Sequence, residues 1–205
     1  MPSPYQVLYT DIGGVLGTNG WDTNLRQEIC GHFGVAFDQI ESRHQLMFDS
    51  YERGHMPFEQ YLQYVFFNEP RNFTLENVRD YTYERSVPWL ENIAFFRGVK
   101  KANRFKLGLI SNEGSGITEH RVSKFGLREF ADFMVISHFV HMRKPDHGIW
   151  KLALNLAQVT PTQSIYVDDR QIFADVAAEL GFTAIHHVSL ESTREKFLAI
   201  GLAVE

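Results

Sequence analysis

The sequence predicts an α/β fold: a three-layer sandwich around a parallel sheet, carrying a small helical cap domain. Three observations lead there. Short apolar runs of strand type recur along the chain, stretches of helical spacing separate the later ones, and a long helical tract follows the first. Strands alternating with helices are the pattern of βαβ units, whose strands lie parallel.

The first run, Val7-Leu8-Tyr9-Thr10, is short and β-prone, and it ends at Asp11 just before Gly13-Gly14. It reads as a buried strand opening into a tight loop, with Asp11 at the strand's carboxyl end. From about Trp21 to Phe96 polar and aromatic residues recur at helical spacing, as in Tyr61, Leu62, Tyr64, Val65 and Phe66, with no strand among them. The division expected is therefore a core of residues 1–17 and 97–205 and a helical cap of residues 18–96. After Pro88 and Gly98 the strand pattern returns in Leu107–Ile110, Phe133–Ile136, Ser164–Val167 and Thr183–Ile185. Helical stretches fall between them around residues 118–126, 147–157 and 172–180. Ligands bind such sheets at the carboxyl edge. The runs deliver Asp11, Ser111 with Asn112, Ser137 with His138, and Asp168 with Asp169 to that edge.

Composition narrows the functional classes. The 205 residues are 44% hydrophobic and 22% charged, with a net charge of −5 and no block of like charge. That balance argues against nucleic acid as a partner and for a small molecule. Cys30 is the only cysteine, so no intramolecular disulfide forms, and its expected role is a buried apolar filler. No run of 18 apolar residues suggests a membrane span, and the first residues lack a secretory pattern, so a cytoplasmic location is expected.

The chemistry resides in two carboxylate-bearing strand ends, the hydroxyl of Ser111, and the lysine of Arg143-Lys144-Pro145-Asp146. Taken singly, each has a plain structural reading: Asp11 as a turn former, Ser111-Asn112 as a helix cap, Lys144 as a solvated lysine. Asp168-Asp169 is harder to read that way, because adjacent carboxylates repel unless a cation lies between them. Magnesium is held by a few carboxylates with carbonyl oxygens and waters, so Asp11 and one of the pair suit one ion. A lysine and a hydroxyl at the same crevice supply the charge and the donor that phosphoryl transfer needs. An aspartate there can act as a covalent nucleophile.

The chain resembles the haloacid dehalogenase superfamily, in particular its members with a helical cap inserted after the first strand. Four ordered motifs carry the resemblance: Tyr9–Leu16, Leu109–Asn112, Arg143–Asp146 and Tyr166–Asp169. It extends through Ile149-Trp150 and Ala177–Gly181, and so over nearly the whole chain. The resemblance implies a Rossmann-like core and a magnesium-dependent phosphatase acting on a small phosphorylated substrate. By it Asp11 is the nucleophile, and Asp11, the Gly13 carbonyl and Asp169 hold the metal. Ser111 and Lys144 bind the transferring phosphoryl group with Asn112 supporting, and Asp168 either reaches the ion through water or orients Lys144.

Two positions depart from that pattern. Gly13 stands where related phosphatases usually place a second aspartate, the general acid and base, whose help contributes about 10²- to 10⁴-fold. Phe173 stands where an asparagine or aspartate usually supports the metal site, with Asp175 nearby as a substitute. These departures favour one alternative, a catalytically silent receptor for a phosphorylated ligand or a protein partner. Against the other, a metal-independent haloacid dehalogenase, stand the Asp168-Asp169 pair, which implies a cation, and Gly13-Gly14, which does not match the dehalogenase loop. Among other residues, Trp21 and Asp22 are expected nearest the phosphate. His138, His141 and His186-His187 lack the spacing of a zinc site.

Overall fold

The computed structural model describes residues 3–204. The chain runs β1 (Val7–Thr10), α1 (Thr23–Phe33), α2 (Phe37–Glu52), α3 (Phe58–Phe66), α4 (Leu75–Arg85), α5 (Leu90–Asn103), β2 (Lys106–Ser111), α6 (Ile117–Lys124), α7 (Leu127–Phe130), β3 (Phe133–Ile136) and α8 (Ser137–Val140). It closes with α9 (His147–Ala157), β4 (Ser164–Asp168), α10 (Gln171–Glu179), β5 (Thr183–His186) and α11 (Leu190–Ala199). The five strands form one parallel sheet in the order β3-β2-β1-β4-β5. Chain direction across the sheet reverses at β1, so the crevice at its carboxyl end is the natural ligand site.

Both faces of the sheet are covered, which is why its strands read as continuous apolar runs rather than alternating ones. Successive residues still point to opposite faces. Leu8, Leu107, Leu109, Ile165 and Val167 pack with Ile93, Phe96 and Phe197 of α5 and α11. Val7, Tyr9, Ile110, Val135 and Tyr166 pack on the other face with Trp150 and Ala153 of α9 and Ala177 of α10. The Tyr9 hydroxyl donates to the Ala153 carbonyl at 3.0 Å, satisfying the one polar atom that this ring brings into the core.

Helices α1 to α4 enclose a third apolar cluster of their own, including Ile29, Cys30, Ile40, Tyr51, Phe58, Tyr61, Leu62, Val65, Phe66 and Val78. Cys30 is a buried member of it. The boundary drawn at residue 96 falls inside α5, whose Ile93, Phe95, Phe96 and Val99 belong to the sheet's core. An apolar helical stretch such as Ile93–Phe96 reads alike on either side of that boundary, so only packing separates the two. Ion pairs join the helical insert to the loops at the sheet's carboxyl edge: Arg143 with Glu52 at 2.7 Å, and Arg53 with Asp146 at 2.9 Å. Among the described residues no helix is long and apolar enough to cross a membrane.

Candidate active site

Backbone geometry places Asp11 at the mouth of β1. Its amide donates to the Val167 carbonyl at 2.9 Å, and the Ile12 amide donates to its Oδ1 at 2.7 Å. The loop then turns tightly, with the Gly14 amide donating to the Gly17 carbonyl. Gly14 has φ +66, and a Cβ there would lie 2.2 Å from Asp169 Oδ2, so backbone and carboxylate share a space that only glycine leaves open.

Lys144 is fully buried between two carboxylates, its Nζ 2.9 Å from Asp11 Oδ2 and 2.7 Å from Asp168 Oδ2. Burial by itself would lower the ammonium's pKa, but the charges of Asp11 and Asp168 outweigh it and hold the pKa above its ordinary value. Asp168 is committed to this arrangement. Its Oδ2 also accepts from the Tyr166 hydroxyl, and its Oδ1 accepts from the Arg170 amide at 2.8 Å. Of the two roles open to Asp168, orienting Lys144 is the one its contacts fill.

Asn112, expected at the phosphate, spends its amide on the main chain of Lys144. Its Nδ2 donates to the Lys144 carbonyl and its Oδ1 accepts from the Lys144 amide, both at 2.8 Å. Its geometry is that of a clamp on Lys144 rather than of a ligand for substrate. Ser111 is buried at the end of β2 and lines the crevice with Asp11, Gly13 and Lys144.

Asp11, Asp168 and Asp169 each offer a carboxylate oxygen, all within 4.8 Å of one another. Burial, then the charges of Asp11 and Asp168, raise the Asp169 carboxyl to about 6, and its buried Oδ1 has no hydrogen-bond partner. An all-oxygen donor set with one orphaned buried oxygen fits a hard divalent cation such as magnesium.

The two departures from the family pattern now have surroundings. A Cβ on Gly13 would lie 2.6 Å from Asn19 Oδ1, so the Asn19 side chain fills the space into which residue 13 would project. Its Nδ2 reaches toward Asp169 Oδ2 at 3.5 Å. The Phe173 ring lies beside Lys144, with Nζ 5.0 Å from its centroid. Asp175 is exposed and bonded to Gln171 at 2.6 Å, so it does not substitute for a metal-site residue.

Trp21 and Asp22, expected nearest the phosphate, both line the crevice. The Trp21 Nε1–H donates to the Tyr61 hydroxyl at 2.8 Å, which in turn contacts His44 Nδ1 at 2.6 Å, while Asp22 caps α1 through the Leu25 amide. Burial lowers His44 to about 4, so its ring is neutral at pH 7. The histidines weighed above as zinc ligands have structural partners: His138 faces Glu119 at 3.0 Å, His141 the Arg53 carbonyl, His186 the Asp169 carbonyl, and His187 the Thr193 hydroxyl.

Sequence reasoning missed a buried ion pair on the crevice wall, Glu113 Oε1 with Arg121 Nη1 at 2.8 Å. Glu113 directly follows Ser111-Asn112, and a carboxylate so close to a strand-end motif was the available signal. Arg121, one charged residue on a helix, gave none. The crevice beneath the insert has a volume of about 90 Å³.

Comparison with known proteins fits this geometry. Residues 38–185 match the model of the family described as haloacid dehalogenase-like hydrolase. The chloroplastic flavin mononucleotide hydrolase 1 of Arabidopsis thaliana is 23% identical over 181 residues, spanning 87% of this chain and 72% of that protein. A haloacid dehalogenase-family enzyme of Bacteroides thetaiotaomicron, crystallised with magnesium and inorganic phosphate, superposes with a TM-score of 0.75 at 20% identity, covering 89% of this chain and 93% of that one. The L-2-haloacid dehalogenase of Xanthobacter autotrophicus, with chloropropionic acid covalently bound, gives a TM-score of 0.61 at 16% identity, covering 97% and 84%. At such identities the two structures show a shared fold.

Proposed function

This chain belongs to the haloacid dehalogenase-like hydrolase family, and from that premise we propose that it hydrolyses a small phosphorylated metabolite, with magnesium, through an aspartyl-phosphate on Asp11. The observation that carries the reading is the orphaned, buried Asp169 Oδ1 in a cluster of three carboxylates, beside a lysine that neutralises only part of their charge. A site with this surplus of negative charge calls for a cation, and a cation calls for an anionic substrate. The flavin mononucleotide hydrolase and the magnesium- and phosphate-bound relative support the same direction.

Asp11 and Asp169, with the Gly13 carbonyl, would hold the ion, which when bound neutralises charge on the phosphoryl oxygens. Asp11 attacks phosphorus, and Lys144, clamped by Asn112 and oriented by Asp168, stabilises the charge that develops there. Ser111 donates its hydroxyl to a phosphoryl oxygen. Water then releases phosphate from Asp11. A volume of about 90 Å³, well under the ~300–1,000 Å³ of pockets that enclose a drug-sized ligand, favours a compact ester over a large one held wholly beneath the insert.

The test is a panel of phosphomonoesters, flavin mononucleotide included, assayed with magnesium and with chelator for the wild type and Asp11→Asn. The reading expects phosphate release that needs both the metal and Asp11. Release of chloride from 2-chloropropionate without metal would instead support the dehalogenase. Phosphate binding without turnover of any ester would support the receptor.

A further inference from the structure

Gly13 has no side chain to protonate a leaving group, and the space beside it holds the Asn19 amide, which has no acidic proton to give at neutral pH. An alkyl ester leaves poorly unless its oxygen is protonated as the bond breaks. Four carboxyl-bearing residues line the crevice: Asp11, Asp22, Glu52 and Glu113. Asp11 is the nucleophile in the reading on which this inference rests. Asp22 caps α1, and Glu52 is held by the Nε and Nη2 of Arg143 at 2.8 and 2.7 Å. Glu113 is different. Its Oε1 faces Arg121 at a distance of 2.8 Å but off hydrogen-bond alignment, and its Oε2 is buried with no partner at all.

We infer that Glu113, in the lining of the same crevice, gives the proton to the leaving oxygen and takes one from the hydrolytic water. In the first half-reaction an Asp11 oxygen bonds to phosphorus as the bond to the leaving oxygen breaks, and the proton on Glu113 Oε2 passes to that oxygen, which departs as an alcohol. In the second, water attacks the phosphorus and the bond to Asp11 breaks, restoring its carboxylate. The proton lost by the water returns to Glu113. Ester and water become alcohol and phosphate, with both carboxyl groups regenerated.

The loop that carries Glu113 is fixed from two sides. Ser137 Oγ accepts from the Glu113 amide at 3.0 Å and donates to its carbonyl at 3.1 Å. From above, the Tyr51 hydroxyl of α2 donates to the Ser115 carbonyl at 2.7 Å, and the Tyr51 ring packs so closely on Gly114 that a Cβ would lie 2.1 Å from its Cζ. The charged and titratable groups facing Glu113 are Arg121 of α6, Asp11 at the end of β1, Lys144 before α9, and Tyr51 and Glu52 of α2. Burial raises the Glu113 carboxyl to about 7 despite the opposing pull of Arg121, which suits a group that must both give and take a proton near neutral pH.

The experiment compares kcat/KM of wild type and Glu113→Gln, with saturating magnesium, on an aryl phosphate and an alkyl phosphate. This constant covers the steps up to departure of the alcohol, so the second half-reaction does not enter it. The alkyl ester should lose about 10²-fold or more while the aryl ester, whose leaving group needs no proton, keeps its rate. The decline of alkyl turnover that deprotonation of Glu113 brings as pH rises should also vanish. Equal losses on both esters, or an unchanged alkyl rate and pH profile in a protein that still turns over, would overturn the inference. Gln leaves Arg121 without its counter-charge, so the paired variant Glu113→Gln/Arg121→Met is measured too, and it must show the same split between esters. A wild type inert to both esters would overturn the hydrolytic reading and this inference together; an active wild type matched by Glu113→Gln overturns this inference alone.

Discussion

Replacing Lys144 with methionine tests how the candidate site is held together. The lysine is fully buried, and so is Asp168, whose oxygens otherwise meet only the neutral donors Tyr166 and the Arg170 amide. Removing one partner of a buried ion pair strands the other charge and costs about 3–5 kcal/mol. For a chain of this size each kcal/mol shifts Tm by roughly 2–4 °C, so the variant should melt roughly 6–20 °C below wild type at pH 8 with chelator present. The sign with pH follows from the shifts. The Lys144 pKa is raised in the folded state, so its contribution is present in full below its unfolded value and is lost only at strongly basic pH. Burial raises Asp168 while Lys144 lowers it, so without Lys144 the carboxyl rises further, and the variant loses stability as pH climbs above the ordinary carboxylate range. The gap between wild type and variant should therefore narrow from pH 8 toward pH 5, and Lys144→Met/Asp168→Asn should recover most of it. Calorimetric or fluorescence melts across that range measure both effects. A variant within about 2 °C of wild type at pH 8, or a gap that does not change with pH, would refute the reasoning.

The other predictions concern the cation and the loop that shapes its site. Magnesium should stabilise the wild type by relieving repulsion among Asp11, Asp168 and Asp169. At one hundred times Kd the gain is about 2.7 kcal/mol, seen as a rise in Tm that chelator reverses and Asp169→Asn abolishes. Gly14→Ala would place a Cβ 2.2 Å from Asp169 Oδ2 at a backbone angle unfavourable to alanine. Magnesium affinity by titration calorimetry should fall about tenfold or more, while the fold is kept. Gly114→Ala would drive a Cβ into the buried Tyr51 ring, lowering Tm and loosening α2 from the loop of Glu113, which amide exchange at residues 113–116 would report.

Much of this was legible in the sequence, for definite physical reasons. The strands could be placed to within a residue because a parallel sheet covered on both faces demands unbroken apolar runs, and Val7–Thr10 and Phe133–Ile136 are such runs. Asp11, Ser111, Lys144 and the Asp168-Asp169 pair were legible because each ends a strand or follows one at motif spacing. What stayed hidden depends on contacts between residues far apart in the chain. Asn112 reads as a phosphate contact until its amide is seen clamping Lys144, and the choice for Asp168 between reaching the ion through water and orienting Lys144 stays open until its contacts with Tyr166, Arg170 and Lys144 are seen. The filling of the space beside Gly13 by Asn19, and the meeting of Glu113 with Arg121, leave no trace in local pattern.

The most direct test of the aspartyl-phosphate chemistry is to find the phosphoryl group on the protein. Wild type turning over an aryl phosphate with magnesium is quenched in acid and digested, and the peptide bearing Asp11 is weighed by mass spectrometry. The mechanism predicts one added phosphoryl group on Asp11, absent from Asp11→Asn and absent when magnesium is chelated before substrate is added. Phosphate released by the wild type with Asp11 never labelled, or with the label on another residue, would contradict it.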